Sequence, residues 1–296
     1  MILAVTGITG HTGGYFLQEL IRNRFDGTLR VLVRESSDTR ALDESGLRVE
    51  KVVGDIKNPD DLFRLVDGAD KVLHIAGIRD TLPLMAAIEK AGVKGHIVLV
   101  HTTGIYSRFR MASGEYKQIE QALQQYLDRD LNITILRPTM IFGDMCDRNI
   151  HKFIRMVDKL PVMPQVRGGQ AKIQPVNARD LGRAYYQCVM TDKLPELDYV
   201  VSGSRQLTLR ELCSLIGIYL GKKTRFVNVP TMAVAGGMWC VKELTRGKVD
   251  YVEKALRLSE DRVFSHEKAT RDFGFEPEPF DVGLKREVEE YLHVRK

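Results

Sequence analysis

The chain has 296 residues, 44% apolar and 28% charged, ordinary values for a globular protein with a sizeable core. Its 44 Lys and Arg against 39 Asp and Glu leave a net charge of +5, too mild for a nucleic-acid-binding protein, so no nucleic-acid partner is expected. The excess is uneven: residues 1–150 hold 19 basic and 20 acidic side chains, residues 151–296 hold 25 and 19.

The chain opens on Ile2–Val5, which reads as a strand entering a glycine-rich turn rather than as a leader segment. Short apolar runs follow at Arg30–Val33, Val49–Val53, Lys71–Ile75, His96–His101 and Ile133–Leu136. Such runs fit strands buried on both faces of a parallel sheet. Helical patterns lie between them at Gly13–Asn23, around Ala41, and at Pro59–Val66, Leu82–Ala91 and Gly114–Leu127. Asn58 before Pro59, Asp60 and Asp61 supplies a cap, a first-turn proline and acids for the helix start. Gly92 ends the next helix. The alternation predicts an α/β fold, a Rossmann-type doubly wound parallel sheet with helices on both faces.

After Gly143 the rhythm changes. Residues 150–160 read as a helix, Pro161–Gly169 as turns, Ile173–Val176 as a strand, Arg179–Met190 as a helix and Asp198–Ser202 as a strand. Thr208–Leu220 reads as a helix with a Thr208/Glu211 capping box, and the remainder as mainly helical. This predicts a Rossmann domain over 1–143 and a smaller, mixed, mainly helical substrate lobe over 144–296, with 170–205 crossing back onto the sheet. Asp180 is read as the cap of the helix that follows it.

Cys146, Cys188, Cys213 and Cys240 show no CxxC pairing, so reduced thiols and a cytoplasmic location are expected. The histidines lack metal-ligand spacing and no metal is expected. No nucleophile elbow supports hydrolase chemistry. The uncharged run Val227–Val241 is too short and broken to span a bilayer. Met232–Leu244 reads as a lobe helix packed on the core, and a membrane contact is not expected.

The strongest motif follows the first strand and opens a helix: Thr6-Gly7-Ile8-Thr9-Gly10-His11-Thr12-Gly13-Gly14. In its GxxGxxG spacing Gly7 permits the tight turn, Gly10 lets backbone approach a pyrophosphate, and Gly13 allows close helix–strand packing. The helix start adds free N–H groups and the positive end of its dipole. Thr9, His11 and Thr12 complete the turn. At the end of the second strand Val33 stands where an acid would select NAD. Arg34 follows and suits a 2′-phosphate, with Ser36, Ser37 and Arg40 beside it, so NADP (NADPH) is favoured over NAD.

Taken with later stretches, this motif resembles the short-chain dehydrogenase/reductase superfamily. The likeness is to its extended and atypical branches, the NAD(P)-dependent epimerase/dehydratase and NmrA-like proteins. Val53-Gly54-Asp55-Ile56 is similar to the family's third-strand end, Val72–Gly77 to its fourth-strand motif, and Leu136–Gly143 to its sixth-strand LRP…G signature. Pro175–Ala184 and Val201–Glu211 match later segments in order. The resemblance implies cofactor contacts from Asp55, Ile56, Ala76, Gly77, Thr102, Pro138, Thr139 and Met140.

It also implies a Ser or Thr after the fifth strand and a Tyr-x-x-x-Lys pair, in which the Lys lowers the Tyr pKa for proton exchange. Thr103 fits the hydroxyl and Lys117 the lysine, also as a cofactor contact, but Ser113 stands four residues before Lys117. Tyr116 lies 100° round the helix from Lys117, and Tyr106 is the phenol with a route from its loop. Two classes of function stay open. One is an NADP(H)-dependent oxidoreductase, epimerase or dehydratase acting on a carbonyl or nucleotide-sugar-like substrate through Thr103, Tyr106 and Lys117. The other is a catalytically silent NADPH-binding sensor or structural subunit. Arg148, His151, Lys152, Arg155, Arg167 and Lys172 read either as a solvated face or as the mouth for an anionic small-molecule substrate. A homodimer through Leu82–Ala91 and Gly114–Leu127 is a further expectation from the family.

Overall fold

The computed structural model describes residues 1–129, 131–147, 149–230 and 259–295, and at 110–112 and 167 the backbone alone. Arg148, Cys240 and Met232–Leu244 lie outside the described residues. Seven strands form one parallel sheet: β1 (Ile2–Thr6), β2 (Thr28–Val33), β3 (Arg48–Val53), β4 (Lys71–His74), β5 (Ile97–Val100), β6 (Ile133–Pro138) and β11 (Asp198–Val201). Their order is β11-β6-β5-β4-β1-β2-β3. Val5 of β1 lies opposite Val31 on one side and Leu73 on the other. Chain order therefore reverses between β1 and β4, and in doubly wound sheets ligands sit at the carboxyl ends of such a reversal.

Helices cover both faces. On one, α1 (His11–Arg22) and α7 (Ala178–Met190) bury Phe16, Leu20, Leu181 and Tyr185 with Leu3 and Val5 of β1. On the other, α3 (Pro59–Val66), α4 (Thr81–Ala91) and α5 (Arg110–Leu127) bury Leu62, Leu84, Ile88 and Leu123 against Val72 and Leu99. The short α2 spans Arg40–Asp43. Asn58 caps α3 by accepting the Asp60 N–H, and Gly92 closes α4 at φ 68°.

A third cluster forms the smaller lobe. There α6 (Ile150–Lys159), α8 (Leu209–Tyr219) and α10 (Phe280–Arg295) bury Ile154, Leu212, Ile216, Leu284 and Val288. Three two-stranded ribbons flank it: β7 (Ile141–Phe142) with β10 (Val176–Asn177), β9 (Lys172–Ile173) with β12 (Leu207–Thr208), and β8 (Met163–Val166) with β13 (Phe226–Val229). The Thr208/Glu211 capping box starts α8.

Several local expectations are corrected. The turn-rich stretch after Pro161 contains β8, and β13 interrupts the segment read as helical. The single strand at 173–176 is two short strands, β9 and β10, with different partners. Asn177, not Asp180, caps α7: its side chain accepts the Arg179 N–H. Asp180 sits in the first turn, buried, accepting the Glu278 N–H and paired with Arg183. Burial, only partly offset by Arg183, pushes Asp180 up to about 6. The return to the Rossmann sheet also extends past 205. Ala269 of α9 (Glu267–Phe273) and Phe275 join the core cluster of β1 and α1.

Candidate functional site

A groove of about 1100 Å³ opens at the carboxyl ends of β1, β2, β3 and β4. Gly7, Thr9, Gly10, His11 and Thr12 form one wall, Arg34 and Ser37 another, and Asp55, Ile56 and Ala76 a third. Gly7 takes φ 78°, and a Cβ there would stand 2.7 Å from the Ala76 nitrogen. Gly13 lies beneath the groove, where a Cβ would meet the Gly7 carbonyl oxygen at 2.2 Å. The turn is thus a cradle of bare backbone at a helix start, which fits a dinucleotide pyrophosphate.

At the far end of the groove the Arg34 N–H donates to Ser37 Oγ at 3.1 Å. Arg34 itself is exposed and lines the groove, while Ser36 does not line it and Arg40 is spent on Asp38. Lys57 also lines it, held by Asp80. Lys57 carries no motif of its own, and its position two residues beyond Asp55 was the only signal available.

The near wall is the loop between β7 and α6. Asp144, Cys146, Asp147 and Asn149 line the groove. His11 Nε2 stands 2.9 Å from Asp144 Oδ1, and Tyr15 Oη donates to Asp144 Oδ2 at 2.7 Å. Burial opposes ionisation of Asp144, but these two partners outweigh it and hold its carboxyl down at about 2. Behind the loop the Gly143 N–H donates to buried Glu287 at 3.0 Å. Burial, then the neighbouring Asp147, pushes the Glu287 carboxyl well above the ordinary carboxylate range. None of these acids has a sequence signature, because each is assembled from a separate element.

A smaller cavity of about 280 Å³ adjoins the groove, with Ile141 and Asn149 lining both. Thr102, Thr103, Tyr106, Thr139 and Met140 line it. Gly77 and Pro138 line neither. Thr103 donates to the Pro138 carbonyl at 3.1 Å, and Thr102 accepts the Gly104 N–H. Tyr106 donates its hydroxyl to Asp198 at 3.2 Å under the Arg137 guanidinium. Burial and Asp198 together outweigh Arg137 and raise its pKa.

Lys117 lies apart from both cavities. The inward face of α5 carries buried Ser113, half-buried Tyr116 and Glu120, and buried Leu123, and it turns Lys117 into solvent. Lys117 lines neither cavity. Ser113 donates to the Phe109 carbonyl at 3.2 Å. Glu120 instead occupies the inward position. It receives both terminal nitrogens of Arg137 and faces His101 Nδ1 at 2.8 Å. Arg137 also donates to Asp198 at 2.8 Å. Burial would raise Glu120, but His101 and Arg137 prevail and hold it at about 2. His101 reaches Thr81 with its other nitrogen at 3.1 Å, and His74 is satisfied by Thr6 and the Gly77 carbonyl, so both histidines are core residues.

Among the described residues no group of three or more His, Cys, Asp or Glu is placed to hold a metal, and no helix is long and apolar enough to cross a membrane. Cys146, Cys188 and Cys213 are free thiols.

Over residues 7–157 the sequence matches the family described as NAD(P)H-binding. It is 24% identical over 288 residues to the mitochondrial NADH-ubiquinone oxidoreductase 40 kDa subunit of Neurospora crassa, covering 92% of this chain and 75% of that one. In structure it is similar to a nucleoside-diphosphate-sugar epimerase from Pseudomonas aeruginosa, with a TM-score of 0.75, 18% identity, and 99% and 98% of the two chains covered. It is also similar to the UDP-glucose 4-epimerase of Thermotoga maritima with UDP-glucose, with a TM-score of 0.73, 17% identity and 100% of both chains covered. At such identities the structural likeness is one of fold. The chain belongs to the NAD(P)H-binding family and has the fold of the extended short-chain dehydrogenases/reductases.

Proposed function

We propose that the chain holds NADP(H) without turning it over, as a sensor or as a subunit of a larger assembly. The observation that carries this reading is the outward turn of Lys117 on α5. Hydride transfer to a carbonyl requires a proton at its oxygen, and a tyrosine gives that proton readily when a neighbouring lysine lowers its pKa. Here the phenol that lines the smaller cavity, Tyr106, is shifted the other way and donates to Asp198. Ser113 and Thr103 spend their hydroxyl protons on backbone carbonyls. Lys117 at the protein surface compensates for none of this.

Cofactor preference rests on Arg34. Its guanidinium, at the end of β2 with Ser37 beside it, matches a 2′-phosphate and has no role with a free 2′-hydroxyl. The matching relative in Neurospora crassa, of which this chain covers three quarters, is itself a subunit of a larger oxidoreductase, which supports the assembly reading.

The second reading is an enzyme, favoured by the 280 Å³ cavity beside Tyr106, which has room for a small carbonyl or the sugar end of a nucleotide sugar. Of the basic cluster expected at a substrate mouth, His151, Lys152, Arg155 and Lys172 do not line this cavity, whereas Arg262 does. Titrating the purified protein with NADPH and with NADP+, then adding carbonyls to the first and nucleotide sugars to the second, separates the two. Saturable binding with no conversion supports the first reading, and conversion of any compound supports the second.

A further inference from the structure

One outer face of the smaller lobe carries a group of exposed cations. On α6, Lys152, Arg155, Met156 and Lys159 are exposed at i, i+3, i+4 and i+7, one stripe of the helix. The stripe ends at a surface cleft of about 440 Å³, bordered by Lys159 and Leu160 on one side and by Lys222, Lys223 and Arg225 on the other. This end of α6 is opposite the end that carries the dinucleotide-groove loop.

Large apolar side chains lie exposed among these cations. Met156 is 37% exposed, Leu160 42%, Val162 37% and Val227 48%. The β8–β13 ribbon continues the face, with Val227 opposite Pro164.

The carboxylate in the cleft does not neutralise it. Asp158 is buried, and its oxygens are taken by Lys222, by Tyr291 at 2.8 Å and by Arg295 at 2.7 Å. Lys222 also donates to the Asp158 carbonyl at 2.7 Å, an ordinary complement to a helix C-terminus. That role explains Lys222. It does not explain the exposed Lys159, Lys223 and Arg225, nor the apolar side chains between them.

We propose that this face docks on a membrane surface rich in anionic lipid. The cations would lie against lipid phosphates, and Met156, Leu160, Val162 and Val227 would enter the headgroup layer. Cations interspersed with apolar side chains over a helix face are the pattern of a surface that lies in the headgroup layer, and an acidic protein as occupant would show itself by the absence of vesicle binding. The contact is peripheral, in keeping with the lack of a membrane-crossing helix among the described residues. The face combines two elements distant in sequence, α6 and the β8–β13 ribbon, so no single stretch of sequence announces it. The inference is independent of the cofactor reading.

The test is co-sedimentation of the full chain with vesicles of phosphatidylcholine alone and of phosphatidylcholine with phosphatidylglycerol. Binding is expected to the second alone, weakening as salt is raised. The triple variant Lys159→Gln/Lys223→Gln/Arg225→Gln is expected to partition roughly a hundredfold less. Met156→Ser/Leu160→Ser is expected to lose severalfold with every charge kept. Circular dichroism and NADPH titration verify that each variant is folded. Absence of binding to anionic vesicles overturns the proposal, as does equal binding by the wild type and the folded triple variant.

Discussion

His11 Nε2 stands 2.9 Å from Asp144 Oδ1 across the mouth of the dinucleotide groove. His11 is the first residue of α1, where free N–H groups and the helix dipole favour an anion. The protein's own carboxylate is therefore placed beside the position expected for the cofactor's pyrophosphate. Asp144→Asn keeps the shape of the loop and removes that charge. It is expected to tighten NADPH binding by roughly 1 kcal/mol, about fivefold, at low salt. Isothermal titration checks this, and unchanged or weaker binding would show that Asp144 does not compete with the phosphates.

Arg34 supplies the second prediction. A charge-assisted bond to a 2′-phosphate is worth about 1.5–3 kcal/mol. Arg34→Ala is therefore expected to weaken NADPH binding about tenfold or more and to leave NADH nearly unchanged. Parallel titrations of the two cofactors read this directly, and equal losses would remove Arg34 from cofactor selection.

Gly13 tests the cradle by sterics. A methyl group there meets the Gly7 oxygen at 2.2 Å and the Ile8 oxygen at 2.6 Å, both backbone atoms that cannot turn aside. Gly13→Ala must move the turn, so loss of NADPH binding and a lower Tm are expected, at a cost of about 1–3 kcal/mol. Gly14, with no protein atom close to where its Cβ would lie, is the matched control for stability: Gly14→Ala is expected to leave the Tm nearly unchanged.

Glu120 gives a pH prediction. Hydrogen bonds from His101 and Arg137 overcome burial and hold its folded pKa at about 2, below its ordinary value of 4.5. A depressed carboxyl contributes stability that is present above the unfolded value and lost as pH falls toward the folded one. Glu120→Ala leaves the buried Arg137 with Asp198 as its remaining carboxylate, and a loss of about 1.5–3 kcal/mol is expected at pH 7. Urea unfolding should show the gap between wild type and variant narrowing as the pH is lowered from about 5. A gap independent of pH would contradict the ion-pair account.

The sheet was legible because β1, β2, β4, β5 and β6 are buried on both faces, and near-continuous apolar runs have few other readings. The groove's glycine wall was legible for a related reason, since a positive φ and close backbone approach leave little choice but glycine. The opposite wall was not, because Asp144, Tyr15 and Glu287 meet only in three dimensions. Likewise β13 pairs with β8, some sixty residues earlier, and the four residues Phe226–Val229 alternate too briefly to announce a strand. The exposure of Lys117 is readable from the helix period. Stepping back by helical turns from buried Leu123 and Tyr126 reaches Glu120, Tyr116 and Ser113, and leaves Lys117 off the stripe.

The most direct test of the central claim is one incubation. Protein saturated with NADPH in one arm and with NADP+ in the other is exposed to a panel of carbonyl compounds and nucleotide sugars, with nicotinamide absorbance followed and the sugars themselves analysed, since an epimerase needs the oxidised cofactor to accept the first hydride and returns it unchanged. The account predicts retained, fully reduced NADPH and unaltered compounds throughout. Oxidation of the bound cofactor or conversion of any compound, abolished in Tyr106→Phe, would contradict it and make Tyr106 the acid of a working enzyme.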